Sequence, residues 1–159
     1  MTKPDPASIL ASIEAVTEGL TATGYISTRE ISTAIYLAHH LRKPVLVEGP
    51  AGVGKTDLAL SLANALEQPV HRMQCYDGLD EAKALYEWRY GKQLLYSQIL
   101  KEKIGDVIGD AATLEASLSR LGDFKDVFFS RDFLEPRPIL RALEEEGGSV
   151  LLIDEVDKS

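Results

Sequence analysis

The sequence contains one glycine-rich segment of the kind that binds phosphate groups. It reads GPAGVGKT over residues 49–56 and fits the pattern G-x-x-x-x-G-K-[ST] at every fixed position. Glycines have no Cβ atom, so their backbone N–H groups can approach phosphate oxygens closely, and the N-terminus of the following helix adds a partial positive charge. We therefore predict a nucleotide-binding loop, with Lys55 on the β- and γ-phosphates and the hydroxyl of Thr56 on magnesium.

The predicted nucleotide contacts run through the whole loop and into the helix that follows it. They are Gly49, Pro50, Ala51, Gly52, Val53, Gly54, Lys55, Thr56 and Asp57. ATP and Mg²⁺ are the expected ligands, because a lysine, a hydroxyl and a row of N–H groups match a magnesium-bound triphosphate. The alternative is a glycine-rich turn that fits by chance. The context disfavours it, since an apolar stretch precedes the loop and an apolar-striped helix follows.

Two carboxylates follow a short apolar segment near the end of the sequence. Residues 150–153 are uniformly apolar, which predicts a strand buried on both faces, and Asp154 and Glu155 come directly after it. Ligands of parallel sheets lie beyond the carboxyl ends of the strands, so we expect this acidic pair and the phosphate loop at one crevice. Asp154 is predicted to hold magnesium. Glu155 is predicted to be the catalytic base that polarises water, with Lys55 as the second catalytic residue.

The elements that must position these residues follow from hydrophobic periodicity and from turn signals. The predicted helices span residues 8–20, 27–41, 56–67 and 110–121, and a fifth begins at Pro138. The predicted strands span residues 45–47, 69–75 and 150–153. A strand, a helix and a strand in succession indicate a parallel sheet and an α/β fold. The segment YEWRYGKQLLYSQ stays open between a small hairpin about Gly91 and two helical pieces.

The composition and charge of the sequence argue against several kinds of partner and location. The net charge is −8, from 25 acidic and 17 basic residues, which argues against a nucleic-acid partner and against an anionic membrane surface. The single cysteine, Cys75, excludes an internal disulfide and is expected to be a small buried hydrophobe. We find no secretory signal and no apolar run of about 18 residues. The expectation is a soluble, cytoplasmic protein.

Four segments together resemble the front half of a MoxR-type AAA+ ATPase. They are VLVEGPAGVGKTDLALSLANAL, CYDGLDEAKALYEWRYGKQLL, FLEPRPILRAL and VLLIDEVDK. The first and last carry the nucleotide motifs of P-loop ATPases in general, and the middle two point to MoxR. The resemblance implies a P-loop NTPase fold of the AAA+ kind, a three-layer α/β/α arrangement with a parallel sheet that is incomplete at its C-terminus.

The resemblance also implies a domain division and a biological setting. Residues 1–24 would be an N-terminal helical segment and residues 25–159 a partial nucleotide-binding domain, with Walker A at 49–56 and Walker B at 150–155. Tyr25 and Ile26 match the segment that lies near the adenine. Proteins of this family are homo-oligomeric, forming hexameric rings, and are magnesium-dependent and chaperone-like. They often work beside a von Willebrand factor A-domain partner to mature metalloenzymes or other complexes.

The sequence departs from the family pattern in two ways. The interval between Lys55 and Asp154 is long, which suggests an inserted element that the family uses on partners or around a pore. The sequence also lacks the sensor residues, arginine finger and helical lid that should follow Glu155. A fragment of this kind is expected to hydrolyse ATP poorly by itself, since an arginine finger contributes about 10³–10⁵ in rate. The alternative hypothesis is a non-hydrolysing, truncated interaction or regulatory module that joins AAA+ rings.

Overall fold

The computed structural model describes residues 6–108 and 130–158, which form two compact units. The first unit joins Met1–Leu79 to Pro138–Ser159, and the second is Asp80–Arg137. The helices are α1 (Pro6–Ile9), α2 (Ile13–Ala22), α3 (Arg29–Leu41), α4 (Lys55–Leu66), α5 (Glu81–Leu85), α6 (Tyr90–Ile108) and α7 (Pro138–Glu144). The strands are β1 (Val70–Gln74), β2 (Tyr86–Trp88), β3 (Leu134–Pro136) and β4 (Val150–Asp154). The helix predicted at 110–121 lies outside the described residues.

The prediction of one continuous helix over residues 8–20 is wrong, because the chain breaks between α1 and α2. Ser12 has an extended backbone, with φ −152° and ψ 164°, and its hydroxyl accepts a hydrogen bond from the N–H of Ala15. A side chain that caps in this way begins a new helix. The apolar stripe behind the prediction is nevertheless buried, since Ile9, Val16 and Leu20 have no exposed surface.

Helix α3 ends at Leu41 as predicted but begins at Arg29, two residues after the predicted start. Thr28, and not Ser27, is its N-cap residue, and its hydroxyl accepts from the N–H of Ile31 at 3.4 Å. The hydroxyl of Ser27 instead lies 3.0 Å from the buried hydroxyl of Ser32. Two adjacent residues of capping type cannot be told apart by sequence alone, since both satisfy the preference for Ser or Thr.

A small apolar core holds α2, α3 and α4 together. It consists of Val16 and Leu20 from α2, Ile35 from α3 and Leu58 from α4, each no more than 6% exposed. Helix α4 begins at Lys55 and so agrees with the predicted helix at 56–67. Because Leu58 lies in the first turn of α4, this core fixes the helix end that directly follows the phosphate loop.

A two-stranded parallel sheet forms the centre of the first unit. Strand β1 pairs with β4 in a register that places Val70 beside Val150 and Gln74 beside Asp154. Helices α4 and α7 both pack against these strands. Only residues 67–69 join α4 to β1, so α4 runs antiparallel to the strands. Its N-terminus is therefore expected at the end of the sheet where β1 and β4 finish, as in a strand–helix–strand unit.

The predicted strand at 45–47 does not form. These residues have no regular structure, and Val45, Leu46 and Val47 are 41%, 71% and 39% exposed. Strand propensity is realised only against a neighbouring strand, and within residues 6–108 and 130–158 the one strand paired with β4 is β1. For the same reason β4 is not buried on both faces, and Ile153 is 45% exposed.

The second unit lies in the interval where the resemblance implies an insertion. Strands β2 and β3 pair antiparallel, and ion pairs cross between them from Arg89 to Glu135 and from Arg137 to Glu87. Gly91 lies inside α6, and residues 86–98 form strand β2 and the start of this one helix, so both the hairpin about Gly91 and the two helical pieces are wrong. In the described part of the chain, no helix is both long and apolar enough to cross a bilayer.

Candidate nucleotide-binding site

The phosphate loop adopts backbone angles that glycine alone accepts readily. Gly52 and Gly54 have φ values of 83° and 88°, in the left-handed region where other residues are strained. Gly54 is the N-cap residue of α4 and, having no side chain, makes no capping hydrogen bond. The first N–H groups of α4 are therefore not blocked by a cap and can receive an anion.

Lys55 lies folded across the loop that precedes it. Its ammonium group donates hydrogen bonds to the carbonyl oxygens of Gly49, at 2.5 Å, and Pro50, at 2.8 Å. The side chain is only partly buried, so these two bonds can be exchanged for bonds to another acceptor. Phosphate oxygens are stronger acceptors for an ammonium group than neutral carbonyls, because the bond is then charge-assisted at both ends.

The two residues expected near the adenine have different surroundings. The ring of Tyr25 lies beside the loop, since a Cβ atom built on Gly54 would be 3.8 Å from its Cε2 atom. Tyr25 also packs against the apolar core, which fixes its position. Ile26 is 93% exposed and contributes no comparable packing. The structure thus brings Tyr25 to the loop, and an adenine contact by either residue stays a prediction.

Asp154 ends β4 with hydrogen bonds to both of its carboxylate oxygens. Oδ1 accepts from the N–H of Glu155 at 3.0 Å, and Oδ2 accepts from Nη2 of Arg72 at 2.7 Å. Glu155 has φ 55°, so the chain turns sharply after the strand. Arg72 was missed by sequence reasoning. Its position two residues before Gln74, on the same face of β1, would reveal it once the strand register is known.

Glu155 also has partners that the sequence did not reveal. Its Oε2 accepts from Nζ of Lys158 at 2.8 Å and from Nε2 of Gln74 at 3.1 Å. The hydrogen bond from Lys158 is the main cause that lowers the pKa of Glu155, with Gln74 next and the charges of Lys158 and Arg72 adding to it. The same contact raises the pKa of Lys158. Glu155 is therefore held in its ionised, proton-accepting form, and Lys158 pairs with it.

An open depression of about 550 Å³ lies beside Glu155, just past the carboxyl ends of β1 and β4. It is lined by Gln74, Cys75, Tyr76, Asp77, Glu155 and Lys158. Cys75 is 3% exposed, which confirms the prediction of a buried thiol. None of these lining residues comes from the phosphate loop, and a common location of the loop and the acidic pair stays a prediction that rests on the course of α4.

The residues predicted to hold magnesium have suitable chemistry. Thr56 offers a hydroxyl and Asp154 a carboxylate, and Mg²⁺ prefers oxygen ligands of this kind. Among residues 6–108 and 130–158, no three His, Cys, Asp or Glu side chains converge into a ready metal site. Magnesium would therefore take its other ligands from nucleotide phosphates and water, as it commonly does when it is bound together with a phosphate substrate.

Comparison with known families assigns the chain. The sequence model of the AAA domain, dynein-related subfamily, matches residues 44–159, a span that contains both the phosphate loop and the acidic pair. The chain belongs to the AAA domain family. This AAA chain accordingly has the α/β fold of P-loop nucleoside triphosphatases, and its family binds nucleotides.

Two curated proteins share a local stretch with this AAA chain. An uncharacterized protein of Staphylococcus epidermidis is 42% identical over 45 residues, which cover 28% of this chain and 17% of that protein. A tRNA dimethylallyltransferase of Corynebacterium urealyticum is 46% identical over 43 residues, covering 24% of this chain and 13% of the relative. The aligned stretch thus spans less than a fifth of either relative. No solved structure matches the chain.

Proposed function

We propose that this AAA chain binds ATP with Mg²⁺ on residues 49–56, and that the acidic pair serves the hydrolysis of that ATP. One observation carries the proposal: the glycine-turned loop leads directly into α4, which packs against β1 and β4, and Asp154 ends β4 with Glu155 directly after it. A course of α4 antiparallel to these strands would bring the phosphate loop and the acidic pair to one end of the sheet, as metal-assisted phosphoryl chemistry requires.

Each group has a distinct task in this proposal. Gly52 and Gly54 keep the backbone close to the phosphates, and Lys55 exchanges its bonds with loop carbonyls for bonds with phosphate oxygens. Magnesium, held by Thr56 and Asp154, would neutralise charge on the phosphates. The ring of Tyr25, fixed beside Gly54 by the core, supports a place for the base of the nucleotide at this side of the loop.

Glu155 is the proposed general base. Its pKa is lowered, so the carboxylate is ionised at neutral pH and can accept a hydrogen bond from an attacking water. The low pKa also makes it a weak base for full proton removal. Its task is therefore to orient and polarise the water, and the proton would pass to an oxygen of the bound phosphate.

The finer proposal follows the resemblance to MoxR-type proteins. We infer a homo-oligomeric, hexameric ring that remodels a protein client, beside a von Willebrand factor A-domain partner and a metalloenzyme client. The second unit supports a contact with other proteins, because α6 exposes large apolar side chains. These are Tyr90, Leu94, Leu95, Tyr96 and Ile99. Sedimentation with and without ATP tests the ring, and a monomer under both conditions would contradict it.

The function is tested by comparing Glu155→Gln with the unchanged protein. The substitution keeps the size of the side chain but removes the base, so ATP binding should persist while turnover falls by about 10²–10⁴. Glu146→Gln is the matched control, since Glu146 is an exposed glutamate in the same unit, and its turnover should not change. An unchanged rate for Glu155→Gln would refute the assignment. Because turnover by this chain alone is expected to be low, the non-hydrolysing module is favoured only if ATP binds without turnover and the chain also alters the assembly or turnover of a full-length relative.

A further inference from the structure

The carboxylate of Asp154, which is proposed to hold magnesium, forms an ion pair with the guanidinium group of Arg72. Nη2 of Arg72 lies 2.7 Å from Oδ2 of Asp154. The pair crosses between neighbouring parallel strands, because Arg72 is level with Leu152 and Asp154 lies two residues further along β4 on the same face. The contact is therefore set by strand register and does not depend on a loop conformation.

Arg72 is not needed to orient Asp154. The other carboxylate oxygen, Oδ1, is already held by the N–H of Glu155, in the sharp turn that the left-handed backbone of Glu155 creates. The side chain of Asp154 is 25% exposed and that of Arg72 is 54% exposed. The guanidinium can therefore leave the carboxylate at small cost, since an exposed ion pair contributes little to stability.

We propose that Arg72 is a built-in competitor of the divalent metal at Asp154. This inference rests on the proposed function, because it takes Asp154 to be the magnesium ligand. A guanidinium and a doubly charged ion that share one carboxylate repel each other, so metal binding must displace Arg72 or proceed against its charge. Asp154 would therefore hold the metal chiefly when a polyanionic nucleotide is bound, because the phosphates would supply the negative charge that Asp154 alone lacks.

The other charges around Asp154 do not replace this effect. Lys158 also acts on the acidic pair, but it donates its hydrogen bond to Glu155, and the charge of Asp154 is the smallest of the causes that act on its pKa. Removing Arg72 therefore leaves Lys158 on its own partner and frees one oxygen of Asp154. The size of the effect should match that of exposed ion pairs, which corresponds to about two- to fivefold in metal affinity.

The experiment measures how strongly Mg²⁺ and nucleotide support each other's binding. The affinity for a non-hydrolysable ATP analogue is determined by equilibrium dialysis with Mg²⁺ and with EDTA, and the ratio of the two is the coupling factor. Arg72→Met should raise this factor about two- to fivefold, and Arg72→Lys, which keeps a cation, should stay close to the unchanged protein. At about 1 M salt, where the Debye length is about 3 Å, the gain should shrink.

Two further variants keep the result interpretable. Arg89→Met removes a guanidinium that also pairs with a carboxylate and is similarly exposed, at 45%, but lies in the second unit, so its factor should not change. Asp154→Asn should bring the factor down towards one. If it does not, the proposed magnesium ligand is wrong. If Asp154→Asn does lower the factor but Arg72→Met leaves it unchanged or lowers it, only the competition by Arg72 is overturned.

Discussion

The loss of stability on substituting Leu58 tests whether the apolar core holds α4, the helix that follows the phosphate loop. Leu58 and Leu60 lie two residues apart on α4, and their burial differs sharply, at 6% and 47% exposed. Leu58 contributes to the core formed with Val16, Leu20 and Ile35. Substituting each leucine by alanine in turn gives a matched pair, because both variants change the same helix, the same residue type and the same intrinsic helix propensity.

The expected loss follows from the atoms removed. Leucine to alanine deletes three carbon groups, and at about 0.8 kcal/mol per buried group the transfer term alone is about 2.4 kcal/mol. The cavity left in a core adds to this, so Leu58→Ala should lower the free energy of unfolding by about 2.5–5 kcal/mol. Leu60→Ala removes a side chain that is already half exposed, and its loss should stay below about 1 kcal/mol.

Urea unfolding followed by circular dichroism measures both variants. Equal slopes of the free energy against urea would show that the unfolded and folded states expose comparable surface in each protein, so that the midpoints report stability. Similar losses for Leu58→Ala and Leu60→Ala would refute the reasoning, because the core would then not hold the first turn of α4. A larger loss for Leu60→Ala would place the buried face of α4 on the wrong side.

Two further predictions concern a helix cap and the acidic pair. Ser12→Ala should destabilise the protein by about 1 kcal/mol, because it removes the hydroxyl that accepts from Ala15, whereas Ser12→Gly should lose only a few tenths; urea unfolding measures both, and equal losses would contradict the cap. Lys158→Met should raise the pKa of Glu155 towards its ordinary value of 4.5, because the main cause of its lowering is removed. Nuclear magnetic resonance titration of the glutamate measures this, and a pKa that falls further would refute the assigned partner. With Lys158 present, the stabilisation from Glu155 is complete above its ordinary pKa and is lost as the pH falls through the lowered value.

Local signals predicted much of the first unit. The helix after the phosphate loop, the strand β1, the helix that begins at Pro138 and the strand β4 all lie within one or two residues of their predicted positions. Each is defined by its own periodicity or by a glycine or proline at its boundary, which is information that the segment itself carries. The parallel pairing of β1 and β4 follows from the helix and strand order.

The features that sequence did not predict depend on distant parts of the chain. Residues 45–47 have strand-forming side chains, but no described strand pairs with them, and β-branched composition alone does not make a ladder. Arg72, Gln74 and Lys158 join the acidic pair through strand register and through the turn at Glu155. The spacing of residues in the sequence shows neither the register nor the turn. The register is fixed only when the two strands pair.

Nucleotide retention by Lys55→Ala tests the central claim most directly. Equilibrium dialysis against ATP and Mg²⁺ should show binding about 10- to 100-fold weaker than in the unchanged protein, because a hydrogen bond to a charged group contributes about 1.5–3 kcal/mol. Lys43→Ala, which removes an exposed lysine elsewhere in the first unit, should bind normally. Equal retention of ATP by Lys55→Ala and the unchanged protein would contradict a phosphate site on residues 49–56.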